Sequence, residues 1–95
     1  MKTFYVSRLI RGNELYPTRI TVSDLGVSIQ EPGFFSGRDI LISFRHISSV
    51  MIDTPFIGYS TIQIQTTGQD SYTIFGFLSS EVKEMREMIM SYINY

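Results

Sequence analysis

Through Phe75 the apolar residues of this chain recur with a period of two, and from Ser79 onward they recur with a period near 3.6. About seven strand-sized segments therefore precede a single amphipathic helix, and the switch falls at Gly76-Phe77-Leu78. Short strands with tight connections pair antiparallel, because parallel pairing needs long crossovers. Seven such strands in a small chain must bend into a barrel or sandwich, and one open end then needs a cover. The expected fold is mainly β with one C-terminal α-helix: a seven-stranded antiparallel barrel or sandwich capped by that helix. Residues 1–95 read as one domain, with strands over about 4–75 and the helix over about 79–93.

The first strand is expected over Phe4–Ile10, followed by a loop signal at Arg11-Gly12-Asn13-Glu14. Pro17 cannot donate to a central ladder, so Thr18–Val22 begins just after it. Ser23-Asp24-Leu25-Gly26 is a hairpin connection leading to Val27 and Ile29, which alternate with polar residues. Glu31–Arg38 is a longer loop with Phe34 and Phe35 at its middle. Strands resume at Ile40–Phe44 and Ser48–Thr54, the latter with Val50 and Ile52 inward and Ser49, Met51 and Asp53 outward. Thr61–Thr66 alternates strictly, and Tyr72 and Ile74 alternate with Thr73 and Phe75 on the return strand. In the helix, Val82, Met85, Ile89, Tyr92 and Ile93 fall on one core-facing arc, with Ser79 or Ser80 as the cap and Glu81 in the first turn. Met85 belongs to that stripe, Met88 flanks it and Met90 lies off it.

A hydrophobic fraction of 43%, with seven Phe and six Tyr, is enough for one core and argues against disorder. The net charge of −1 supplies no general pull toward nucleic acid or anionic membrane. Charge is nevertheless uneven: residues 1–50 carry six basic and four acidic side chains, the remainder two basic and five acidic. The absence of cysteine excludes disulfides and thiolate metal sites and fits a cytoplasmic protein. No apolar run approaches the ~20 residues that span a bilayer. Ser7, Arg8 and Arg11 interrupt any signal-peptide pattern at the N-terminus.

Thr18–Val27, then Gly33-Phe34-Phe35-Ser36-Gly37-Arg38, Ile42–Val50 and the Gly76-Phe77 step into the terminal helix together resemble the pleckstrin-homology-like domains, particularly the small bacterial versions. The resemblance covers nearly the whole chain and implies a seven-stranded barrel with a helical lid. It also implies a non-catalytic role, in binding proteins or lipids or in forming homo-oligomers. Phosphoinositide-binding members carry a basic cluster across the first two strands. Here that region holds only Arg8, Arg11 and Arg19, and Thr21 departs from the pattern.

Catalytic chemistry finds little foothold. His46 is the single histidine and sits in a tight turn beside Arg45. Asp24 and Asp70 occupy turns, while Glu81, Glu84 and Glu87 form a solvated helix face, so no enzyme activity, metal or cofactor is expected. Tyr5, Arg8, Arg11, Tyr16 and Arg19 come closest to a nucleic-acid surface, but aromatics in such barrels belong to the core, and no nucleic-acid partner is expected.

Phe34 and Phe35 cannot both point inward from an extended loop: either one plugs the barrel mouth or at least one is exposed. An exposed aromatic at a loop tip is a candidate contact for a protein partner or a second subunit. Phe56 makes a similar case, and Arg38 stands beside the first pair. The function expected from the sequence is binding or scaffolding through protein contacts or self-assembly. The alternative is weak peripheral binding to anionic lipid through Arg8, Arg11, Arg19 and Arg38, each contributing about 1 kcal/mol near such a surface.

Overall fold

The computed structural model describes residues 1–7, 18–31 and 37–93. The elements are β1 (Lys2–Tyr5), β2 (Arg19–Ser23), β3 (Gly26–Glu31), β4 (Arg38–Ile42), a 3-10 turn (Phe44–His46), β5 (Ile47–Asp53), β6 (Ser60–Thr66), β7 (Ser71–Phe77) and α1 (Ser79–Ile93). The first strand begins at Lys2 rather than Phe4, and its expected continuation through Ile10 lies outside the described residues. The fourth strand ends at Ile42, because Phe44 enters the 3-10 turn instead of extending the ladder.

All pairings are antiparallel, with β1-β2-β3-β4 in one sheet and β5-β6-β7 in the other. Among the described residues there are seven strands, and their two sheets do not close into a barrel. The 3-10 turn separates β4 from β5, and no ladder joins them among the described residues. At the other side the Ser7 N–H, just past β1, donates to the Gly76 carbonyl of β7 at 3.0 Å.

The two sheets share one core. Phe4, Ile20, Val22, Val27, Ile29 and Ile42 enter it from the first sheet, and Ile47, Ile62, Ile64 and Phe77 from the second. Val82, Met85 and Ile89 are fully buried from the helix, which packs against β5, β6, β2 and the 3-10 turn. Burial of each such side chain contributes roughly 2 kcal/mol, so the packing of this stripe, rather than helix propensity, holds α1 in place. Tyr92 is partly exposed and stacks on Phe44 with ring centroids 4.6 Å apart. Lys2 reaches Glu84 at 2.6 Å, tying β1 to the helix at the surface.

Two bulges set which side chains enter the core. In β5, Ile47 opposes Thr66 and Ser49 opposes Gln65, so Ser48 is the extra residue. Its hydroxyl donates to the Gln65 and Thr66 carbonyls. In β7, Phe77 opposes Ser60 and Phe75 opposes Thr61, which leaves Gly76 extra, with φ of 126°. Strict alternation would send Phe77 outward with Phe75. The bulge turns it inward, where it is the largest fully buried side chain among the described residues, and the Gly76 carbonyl is taken up by Ser7.

The helix start also departs from the expected serine cap. The Val82 and Glu81 amides donate to the Leu78 carbonyl, which makes Leu78 the capping position. The Glu81 carboxylate reaches back to the Leu78 N–H at 2.9 Å. This is the acidic half of a capping box, formed without a hydroxyl at the cap.

Gly26 closes the β2–β3 hairpin with φ of 147°, and a Cβ placed there would lie 2.2 Å from the Ile42 carbonyl oxygen. Because the obstacle is backbone of β4, neither neighbour can yield cheaply. Gly26→Ala is expected to lower stability by more than about 2 kcal/mol in denaturant unfolding. Gly68→Ala, whose Cβ would meet only the Thr66 hydroxyl at 3.8 Å, is expected to change it by less than about 1 kcal/mol.

Candidate functional site

The expected contact residues fall into three groups. Phe34, Phe35, Arg8 and Arg11 lie outside the described residues. Arg19 and Arg38 stand on opposite faces of the four-stranded sheet. Phe56 projects from the β5–β6 loop at the end of the other sheet.

The outer face of the four-stranded sheet is a solvated polar ladder. Register aligns Tyr5, Arg19, Gln30 and Asp39 in one row and Thr3, Thr21, Ser28 and Leu41 in the next. The Arg19 Nε donates to the Gln30 side-chain oxygen, and Gln30 Nε2 and Ser28 Oγ both donate to the Asp39 carboxylate at 3.3 Å. The hydroxyls of Thr3 and Thr21 lie 2.9 Å apart. Tyr5 is therefore exposed beside Arg19 and not a core aromatic, contrary to the expectation for such barrels.

Arg38 alternates with Asp39 and so belongs to the inner side, at the mouth of the β3–β4 pair, opposite Glu31. It lines a cleft of about 420 Å³ between that mouth and the outer edge of β7, with Glu31, Asp70, Ser71, Tyr72, Thr73 and Ile74. Two carboxylates against one guanidinium leave this cleft acidic and poorly suited to an anion. The arginines proposed to act together against a lipid surface are thus divided between faces wherever they are described.

No group of three His, Asp or Glu side chains forms a metal-sized cluster among the described residues. His46 is exposed at the end of the 3-10 turn, where its backbone amide donates to Ser43 and its carbonyl accepts from Thr67. Ser60 is the one buried polar side chain among the described residues, and its hydroxyl has no hydrogen-bond partner there.

The three-stranded sheet presents a different outer face. Its rows are Ser49–Gln65–Ser71, Met51–Gln63–Thr73 and Asp53–Thr61–Phe75. Of these nine side chains only Asp53 is charged. Met51 and Phe75 are about half exposed, at 48% and 51%. Between the rows runs a groove of about 360 Å³ lined by Met51, Ile52, Asp53, Thr61, Gln63 and Thr73.

The loop from Asp53 to Ser60 extends this sheet at its Phe75 end. Phe56 is 101% exposed and its neighbour Ile57 84%, so neither closes an end of the core. Pro55 and Gly58 bracket the pair, Gly58 with φ of 103°. The loop returns through Tyr59, whose ring meets Phe75 edge-on at 6.3 Å and whose hydroxyl accepts from Ser7 Oγ at 3.1 Å.

Sequence reasoning identified Phe56 and missed that Met51 and Phe75 share the outer face of the sheet that its loop extends. The outward phase of both was readable, but the register that brings them onto one face was not. Comparison with protein-family models, curated proteins and solved structures yields no match for this chain. Among the described residues no helix is long and apolar enough to cross a membrane.

Since Phe56 makes no core contact, Phe56→Ser is expected to shift unfolding stability by no more than about 0.5 kcal/mol. Phe77→Ala, in the same scaffold, is expected to cost about 3–5 kcal/mol. Chemical denaturation of the two variants beside the parent checks both.

Proposed function

We propose that this protein is a non-catalytic binding or scaffolding module that works through protein contacts, on a scaffold of the pleckstrin-homology-like type. The observation that carries the reading is the full exposure of Phe56 and Ile57 on a loop held at both ends by paired strands. A water-exposed Phe next to an exposed Ile is unfavourable surface for a free protein and favourable surface for an occupied one. The proline and the positive-φ glycine beside them restrict the loop, so less conformational freedom is lost on docking. Seven consecutive strands followed by a helix over the shared core support the family resemblance.

A photo-reactive phenylalanine analogue placed at Phe56 tests this in cells of the native host. A discrete protein adduct is expected there, and none from the same analogue at Leu25, a turn position on the other sheet that is also exposed, at 72%. Labelling at neither position, or equally at both, overturns the reading.

The anionic-lipid alternative through Arg8, Arg11, Arg19 and Arg38 draws less support. Arg19 is engaged by Gln30, and Arg38 faces an acidic cleft on the other side of the sheet. Co-sedimentation with vesicles rich in phosphatidylserine at low salt is expected to leave the protein in the supernatant. Salt-sensitive pelleting that Arg19→Ala weakens is the result that restores the lipid reading.

A further inference from the structure

We infer that the outer face of the three-stranded sheet, together with the Phe56–Ile57 tip, is the interface for a second copy of this chain. This rests on the protein-contact reading above and names its partner.

Three observations converge. The first is charge depletion: of the nine outward positions in β5, β6 and β7, only Asp53 is ionised. A sheet face meant only for water carries charges, as Arg19 and Asp39 do on the other sheet, whereas interface cores lose them. Helix α1, by contrast, bears five charged side chains, Glu81, Lys83, Glu84, Arg86 and Glu87.

The second is self-complementarity. A two-fold interface uses the same patch on both subunits, so that patch must hold both a projection and a recess. Here the apolar tip continues the same end of the sheet as the groove lined by Met51 and Thr73. At about 360 Å³ the groove exceeds the about 150 Å³ in which an engineered cavity takes up benzene, so it has room for an aromatic ring. Tyr59 against Phe75 links the base of the tip to the face beside it.

The third is area. Phe56, Ile57, Phe75 and Met51 together expose on the order of 500 Å² of largely apolar surface. Set against the roughly 800 Å² per partner of a standard specific interface, these four residues supply more than half, and the Thr and Gln side chains between them add to it. Two sheets stacking through such faces, about 10 Å apart, is ordinary β-sheet packing. Facing copies would bring together only the two Asp53 carboxylates, a modest repulsion if they lie at the solvated rim.

Sedimentation equilibrium of the purified full chain, from micromolar to millimolar concentration, is the test. The parent is expected to pass from monomer to dimer. The double variant Phe56→Ser/Ile57→Ser, and separately Met51→Lys, are each expected to weaken the dimer at least tenfold with unchanged unfolding. Leu41→Ser, exposed on the other sheet, is expected to leave it intact. The photo-reactive analogue at Phe56 in the purified dimer is expected to join residues of the Met51–Thr73 groove in the other copy. A monomer throughout the range overturns the inference, as does a dimer indifferent to both the tip and the groove variants. Adducts in cells to a different protein, with a monomer in the centrifuge, defeat the second-copy inference alone and leave the protein-contact reading standing.

Discussion

Three apolar surfaces in this chain have no way to leave water except against one another. The inward faces of two small sheets and the stripe of one helix meet at Ile20, Val22 and Ile29, Ile62 and Ile64, and Val82, Met85 and Ile89. Neither sheet is large enough to bury its face alone, and a single short helix cannot supply a core. Everything else in the molecule is arranged around this three-way closure. The 3-10 turn redirects the chain from one sheet to the other, and the Gly76 bulge brings the second sheet within hydrogen-bonding distance of Ser7.

Much of that arrangement was legible in the sequence. Alternation of Ile62 and Ile64 with Thr and Gln gave the face and the strand together, and the change of period after Gly76 gave the helix and its buried stripe. What escaped were departures from strict periodicity. Ile47 and Phe77 are core residues only because Ser48 and Gly76 are bulged, and a bulge reverses the in–out phase of what lies beyond it. The helix cap was hidden for a similar reason: a glutamate contact three residues on replaced the expected serine. Strand count led to the expectation of a barrel or a sandwich, and the choice between them depends on edge pairing that no single strand encodes; among the described residues the strands form two sheets with no ladder between them.

The surface was less legible than the core, because a surface patch is defined by neighbours from different strands. Arg19 and Arg38 looked like members of one basic group in the linear chain, and sheet pleating places them on opposite faces. Met51 and Phe75 looked like isolated outward residues, and the pairing of β5, β6 and β7 puts them on one face. Phe56 was recognisable as a loop aromatic, but its full exposure depends on how the strands on either side close the core without it.

The connectivity itself has a consequence for how the molecule comes into being. Among the described residues each strand pairs only with its neighbour in sequence, so both sheets are simple meanders, cheap to nucleate. The helix that covers them is synthesised after all seven strands. In folding, the two meanders can therefore form before the helix docks, while their apolar faces still lack the side chains of Val82, Met85 and Ile89. Until that helix docks, the folding chain is an open clam with a greasy interior, and the interval before it shuts is when it is most exposed to misassembly.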